Sequence, residues 1–414
     1  FLKRDKKVDT NEVLYTSSMS NFEYIMGKTA GILRLFLSLD IIILLIGLLM
    51  NIISKNMKVD LMSYIEYLLI ISVPTIVFSL GLAFMLMSHI KNQAVTFLIL
   101  LGIAALDMFW LFYRFGSIFD YMAFGFPVYK SGVIGFDNPG QILNQRLLYF
   151  FLGLSLVLAT VLLFKRLPQS KSHTVISVVF MLVFFAGAAV CGYNTWNFYK
   201  SNIDGKKLTI ETNRKFENEE FVSLTDAIVD FQQNGDSFDA AAELKFRNGS
   251  KQTLDNLIFS INPDLKVSGI TSGNKNLTFK QTRNIIEIDP GLHLLPGERD
   301  SIRISYSGSI DESFCFPDYS GNIKETPYTV AMLRINRRQA FLTGNYVLLT
   351  PETQWYPVPG LNYYPSNPAR VKIDFTNYTL RVKTTGGLVP VSQGKMTRED
   401  GYYVFRPDSP LTGI

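Results

Sequence analysis

Apolar residues run almost unbroken through five windows in the first half of the chain, at 32–53, 67–87, 94–113, 147–164 and 175–196. Each window is long enough to cross about 30 Å of hydrocarbon as a helix rising ~1.5 Å per residue, so five transmembrane helices are predicted. Past Lys200 the pattern changes. Runs such as "FDAAAELKFRNG", "NLIFSINPD", "IRISYSGSI", "NYVLLTPE" and "RVKIDFTNYTLRVKT" alternate apolar with polar, and Asn-Gly, Pro-Asp and Pro-Gly punctuate them. A period of two between turn signals predicts antiparallel strands of sandwich type. Helical spacing is scarce there, and 224–231 is the one short helix predicted. The expected fold is an α-helical membrane domain, 32–199, followed by an all-β, antiparallel, sandwich-like extracytoplasmic domain, 200–414.

Composition supports this division. The 414 residues are 48% hydrophobic and have a positive mean hydropathy, more apolar content than a soluble chain needs unless part of it faces lipid. Residues 1–200 carry 16 Lys and Arg against 10 Asp and Glu, whereas residues 201–414 carry 24 against 25. With Phe1 cytoplasmic, the short inside segments hold nine basic residues and the outside loops five, namely Lys55, Lys58, Arg114, Lys130 and Arg146. That bias orients the N-terminus inward, and five crossings put the polar half outside the membrane. A signal peptide accounts for none of the windows, because some thirty mostly polar residues precede the first. The two cysteines, Cys191 in an apolar run and Cys315 in the polar half, offer no disulfide framework. A start on Phe1 and a finish at "SPLTGI" read as a fragment of a longer product.

Three of the five windows contain no charge; the others hold Arg34, Asp40 and Asp107. An ionisable group inside a membrane costs ~2.5 to 3.5 kcal/mol on insertion scales, so each must reach an interface, a partner or a polar cavity. Arg34 lies near enough to the cytoplasmic end to snorkel. Asp40 and Asp107 are read as interhelical contacts or as parts of a moving interface. Pro74 is expected to kink the second helix, because it withholds one backbone donor. "MGKTA", Met26 to Ala30, imitates the end of a phosphate-binding loop, but Phe22 stands where the first glycine belongs and no strand precedes it.

The whole N-terminal segment reads differently. "RDKKVDTNEVLYTSSMSNFEYIMGKTAGILRLF" has a charged start, a short amphipathic piece, a serine-rich turn and then a membrane span. It resembles the cytoplasmic coupling segment of type 2 ABC exporter permeases, carried here by Glu12, Leu14, Tyr15, Ser17, Ser18, Gly27 and Lys28, with Ser18 where that family often has Pro. "FDYMAFGFPVYKSGVIGFDNPGQILNQRLLYFFLG" is similar to the outer loop before that family's last helix. The resemblance covers residues 1–165. It implies that residues 1–31 dock an ATPase subunit on another chain, that further helices precede Phe1, and that the lipid bilayer is the principal partner. The other reading of Glu12 and Lys28 is an ordinary solvated interfacial helix.

Aromatic residues and prolines crowd "LTPETQWYPVPGLNYYP", 349–365. "QWYPVPG" is followed by a predicted strand at 371–383 and by "VPVSQGK", an order that resembles the N-terminal β-domain of membrane alanyl aminopeptidase family zinc peptidases. "ISYSGSI" is similar to that domain's Y-x-G strand. "RINRRQAFLTGNYVLLTPETQWYPVPG" is similar to bacterial members in which the domain is fused behind ABC-type helices. The resemblance spans 208–414 and implies an inner-membrane protein whose β-domain is periplasmic, with the Trp and Tyr cluster on an outer edge and prolines ending the strands. It also implies zinc and a peptide substrate for the parent enzyme. The family's chemistry, H-E-x-x-H with a distant Glu and a G-A-M-E-N segment, does not occur here. His89, His173 and His293 are the only histidines, none within five residues of another. No catalytic residue, metal ligand or cofactor is therefore assigned to these residues, and no nucleic-acid partner is expected. A membrane-anchored binding protein with a β-sandwich is the alternative from another class, though five helices exceed what anchoring needs.

Overall fold

The computed structural model describes residues 19–54, 59–111, 115, 118–124, 128, 130–131, 134–136, 138–164, 171–289, 293–317, 338–368, 370 and 373–414. The chain divides into two compact units, one ending at Tyr199 and the other beginning at Lys200.

The first unit contains five helices apolar enough to cross a membrane: α1 (Asn21–Ile53), α2 (Leu61–Ile90), α3 (Gln93–Leu111), α4 (Pro139–Leu163) and α5 (Lys171–Arg214). Each coincides with one predicted window, but most are longer. α1 begins eleven residues before the first window, because Ser20 caps it: its side chain accepts from the Glu23 amide, and the Glu23 carboxylate accepts from the Ser20 amide. α5 continues past Trp196 to Arg214, and its residues from Lys200 belong to the second unit. None of the apolar window of α1 is buried by protein, which leaves side chains such as Ile43 and Met50 requiring an apolar medium. At Pro74 the helix is irregular: a five-residue π-turn, Leu68–Ser72, precedes it within α2, and the proline stands in the first turn of the α-helical stretch that follows.

α2 and α4 cross in direct contact at Gly81 and Gly153. A Cβ added to Gly153 would lie 2.6 Å from both the Cα and the amide nitrogen of Phe78, and one added to Gly81 would run into the Gly153 carbonyl oxygen. Between apolar helices in lipid there is no hydrophobic drive to associate, so close backbone approach and van der Waals contact hold such a crossing. The Phe78 ring seals it edge-on to Tyr149 at 5.0 Å. α1 joins α4 through Tyr24, Ile25, Val157 and Val161, and the Asn21 side chain donates to the Phe164 carbonyl at 2.7 Å. The short hairpin β1 (Lys130–Ser131) and β2 (Gly135–Phe136) is pinned to the start of α2 by Lys130, whose ammonium meets Asp60 at 3.0 Å and Glu66 at 2.5 Å.

The second unit is β-rich. Its strands are β3 (Ser223–Asn234), β4 (Ser237–Arg247), β5 (Leu257–Ser260), β6 (Leu265–Ser272), β7 (Lys275–Asn276), β8 (Thr278–Thr282), β9 (Ile285–Asp289) and β10 (Arg299–Gly308). They continue with β11 (Ala340–Thr343), β12 (Tyr346–Leu349), β13 (Val358–Pro359), β14 (Asn377–Lys383), β15 (Lys395–Glu399) and β16 (Tyr402–Arg406). An eight-stranded sheet has the order β15-β16-β14-β3-β4-β10-β6-β7, a four-stranded sheet the order β13-β5-β9-β8, and β11 pairs with β12. One core joins the two larger sheets. Phe246 of β4 meets Phe259 of β5 edge-on at 6.0 Å, and Leu244, Ile286, Ile288 and Ile304 are fully enclosed around them.

Several expectations need correction. The sheets are not wholly antiparallel: β14 runs parallel to β3, with Leu380 opposite Val229. Of the predicted strand at 371–383, the described residues form a strand at Asn377–Lys383, and residues 371–372 lie outside the described residues. The predicted helix at 224–231 is β3. Its inward residues are Leu224, Ala227, Val229 and Phe231, because a bulge between Leu224 and Asp226 inserts one residue before the two-residue alternation resumes. Leu224, Ala227, Ile228 and Phe231 also stand at helical spacing in the sequence, although the strand turns Ile228 away from the inward set.

The aromatic segment is also placed differently. Trp355 and Tyr356 lie in the core rather than on an outer edge. Trp355 is 3% exposed, stands edge-on to Phe231 at 5.9 Å, and donates its indole N–H to the Ile414 carbonyl at 3.0 Å. The Tyr356 and Tyr378 hydroxyls meet at 3.2 Å, so each buried phenol has a polar partner. Burial pushes both phenols above their ordinary range.

The α5 extension is bound into this unit by hydrogen bonds. Arg283 donates to the Gly205 carbonyl at 2.8 Å and to the Thr209 hydroxyl at 3.1 Å, and Asp311 lies beside the guanidinium at 3.4 Å. Asn213 donates to Asn362 and to the Tyr363 carbonyl, both at 2.8 Å, and accepts from Asn284.

Candidate functional site

The concentration of buried charge in the first unit lies where α2, α3 and α4 meet the segment 118–124. Arg146 on α4 is 1% exposed. Its Nε donates to Gln145 Oε1 at 2.6 Å, Nη1 donates to Thr75 Oγ1 at 3.3 Å and the Tyr121 carbonyl at 3.2 Å, and Nη2 donates to the Asp120 carbonyl at 2.7 Å. Gln145 also donates to the Asp120 carbonyl, at 2.8 Å, and the Tyr149 hydroxyl donates to the Ile118 carbonyl at the same distance. Backbone that is neither helix nor strand carries polar groups that lipid cannot satisfy, and here side chains of α4 satisfy them. The fork of the guanidinium suits this work, since one rigid plane reaches a hydroxyl and two carbonyls together.

Two carboxylates face this cation. Asp120 accepts from the Phe124 amide at 2.9 Å and is 2% exposed. Asp107 opens a π-turn, Asp107–Leu111, at the end of α3, and is 3% exposed. Its Oδ1 is buried and has no hydrogen-bond partner among the described residues. The centre thus gathers one positive and two acidic groups at a place where an uncompensated charge is costly.

The structure distributes the sequence-predicted residues unevenly. Asp107 joins the centre. Asp40 lies half-buried on α1, and no described hydrogen bond or ion pair links it to Arg146. Gly27 is exposed on α1 with open space around it, and Lys28 places its ammonium 5.5 Å from the Tyr24 ring centre. Glu12, Leu14 and Tyr15 lie outside the described residues. Arg146 is the residue that sequence reasoning misplaced: it was expected in an outside loop, and it is buried seven residues into α4. Its signal was present in "NQRLLYF", where a charge stands immediately before an apolar window and within reach of the same helix.

In the second unit the histidine and the cysteine do not converge. His293 is exposed and, among the described residues, meets the Asp255 carboxylate alone. Cys315 is buried with its thiol donating to the Glu352 carbonyl at 3.5 Å, and burial, aided by Glu312 and Asp311, pushes its ionisation well above the ordinary thiol range. Among the described residues no three His, Cys, Asp or Glu side chains gather to hold a metal ion. The described residues therefore do not fit the zinc of the aminopeptidase family. A surface cavity of about 330 Å³ is lined by Glu220, Phe221, Ser223, Ser250, Tyr364 and Arg370, with the Arg370 guanidinium 4.8 Å over the Tyr364 ring.

No protein-family model matches the chain. No curated protein matches it either. Among solved structures, the chain is similar to the M1 zinc metallopeptidase from Deinococcus radiodurans, at 16% identity over 47% of this chain and 41% of that one, with a TM-score of 0.35. A mutant of that peptidase bound to a Tyr-Ser-Ala substrate aligns at 16% identity over 46% of this chain and 40% of that one, also at a TM-score of 0.35. Native yeast LTA4 hydrolase aligns at 8% identity over 47% of this chain and 28% of that one, with a TM-score of 0.29. The chain spans about two fifths of the length of the first of these structures.

Proposed function

We propose that this chain is a transport subunit: the later helices of an ABC-type export permease, joined to an extracytoplasmic β-domain of the zinc aminopeptidase kind, with peptide hydrolysis belonging to the parent protein. The buried centre at Arg146 carries the reading of the helices. An anchor needs only apolar length, and a charge cluster between its helices would be a cost of several kcal/mol with no return. A permease must instead hold irregular backbone against its helices and be able to release it, and Arg146, Gln145 and Tyr149 grip the segment 118–124 through its carbonyls. The coupling-segment residues Glu12 to Lys28 supply the motive end in this reading, and an ATPase on another chain is the partner.

The deciding experiment is recovery of the ATPase. Glu12→Lys in the complete permease is expected to lower co-purification of an ATPase subunit several-fold, while Lys251→Glu in the β-domain leaves it unchanged. Equal recovery from both variants and the parent would sink the reading. Orientation has its own test. Ser272, at the tight turn between β6 and β7, replaced by Cys in intact cells, is expected to react with a membrane-impermeant maleimide before lysis. Reaction only after lysis would put the β-domain in the cytoplasm.

A second reading keeps one observation in its favour. The cavity beside Arg370 and Tyr364 combines a cation, an aromatic face and hydroxyls, which suits a polar ligand on a β-domain that binds without transport. Unchanged ATPase recovery would move this reading to the front.

A further inference from the structure

Charge arithmetic at the Arg146 centre does not close. Arg146 contributes one positive charge, and Asp107 and Asp120 contribute two negative charges when ionised, so among the described residues the fully ionised centre holds one negative charge more than it balances, on groups buried from water. The groups that face Asp107 are Asp120 and Tyr121 from the segment 118–124, and Arg146 and Tyr149 from α4. Among the described residues none adds a second cation. Asp107 Oδ1 is buried and unpartnered, the one carboxylate oxygen so placed in the centre. A proton needs only that oxygen, whereas a metal cation needs several ligands gathered around it.

We propose that Asp107 is a proton-binding site that sets how tightly Arg146 holds the segment 118–124. This rests on the reading of the centre as a moving part of a permease. With the proton on Asp107, the remaining Asp120 charge balances Arg146, and the guanidinium stays on the carbonyls of Asp120 and Tyr121. When the proton leaves Oδ1 for water, a second carboxylate competes for the same cation. Donor directions then turn from the carbonyls toward Asp107, and the segment loses its grip on α4. The place of Asp107 at the first residue of a π-turn favours this, because such turns are local irregularities that a helix can shift. The expected sign is a segment held at low pH and released at high pH.

The test uses the full chain in lipid nanodiscs. Infrared difference spectra over a pH titration are expected to contain a protonated-carboxyl band that Asp107→Asn abolishes and Asp107→Glu retains at a shifted position. Ala123→Cys, within the segment, is expected to react faster with maleimide as pH rises, with a change of up to about tenfold per pH unit, when each rate is divided by that of the same cysteine in Asp107→Asn. The division cancels the ionisation of the thiol itself, and native Cys191 and Cys315 are buried. Persistence of the band in Asp107→Asn would overturn the proposal. So would a reactivity that follows sodium concentration at fixed pH, which would make the ligand a metal cation. Neither readout involves an ATPase, so failure here is separable from failure of the transport reading.

Discussion

Gly153→Leu is expected to abolish the folded helical unit, with no monodisperse protein recovered in mild detergent. The reason is geometric. The added side chain has no rotamer that avoids α2, because its first carbon already sits 2.6 Å from the Phe78 amide nitrogen and Cα and 2.7 Å from the Val77 carbonyl carbon. These are backbone atoms and cannot swing aside, so the helices must separate. Separation would pull Phe78 from Tyr149 and move Thr75 away from Arg146, which multiplies the loss. Overpacking in a core costs ~1–3 kcal/mol where side chains can adjust. Here they cannot, and Gly153→Ala alone is expected to cost more than that range. Gly47→Ala and Gly102→Ala, whose added carbons meet nothing within 4 Å, are the controls and should leave detergent melting unchanged. Melting of Gly153→Ala equal to that of the controls would mean that α2 and α4 are not in backbone contact.

How far the sequence foretells this architecture depends on the range of the interaction concerned. The five helices were legible because a bilayer imposes a length and a polarity on each span separately. The strands β4 and β10 were legible because alternation is local too. β3 was not: Leu224, Ala227, Ile228 and Phe231 stand at helical spacing in the sequence, and only pairing with β4 and β14 decides the outcome. Trp355 was misplaced for a similar reason. Prolines around it mark chain turns, but its burial follows from Phe231 and the carbonyl of Ile414, 124 and 59 residues away along the chain.

Arg146 is the sharpest case. Read singly it is a charge that borders an apolar window, yet apart from its neighbour Gln145 its hydrogen-bond partners stand 25, 26 and 71 residues earlier in the chain. Removing its guanidinium strands the carbonyls of Asp120 and Tyr121 in a dry site and leaves two acidic groups without a cation. Breaking a buried charge arrangement from one side costs ~3–5 kcal/mol, and Arg146→Gln is expected to fall in that range by denaturant unfolding in micelles. Arg146→Lys restores the charge but not the fork, since an ammonium is a compact donor on a flexible stem, and should recover only part of the loss. The informative variant is the double one. If the acidic pair is what makes the missing cation so costly, Asp107→Asn in the Arg146→Gln background should return more stability than Asp107→Asn removes from the parent, giving a coupling of ~1–3 kcal/mol between the two positions. Strict additivity would assign Arg146 to its carbonyls alone and leave Asp107 outside its balance of charge.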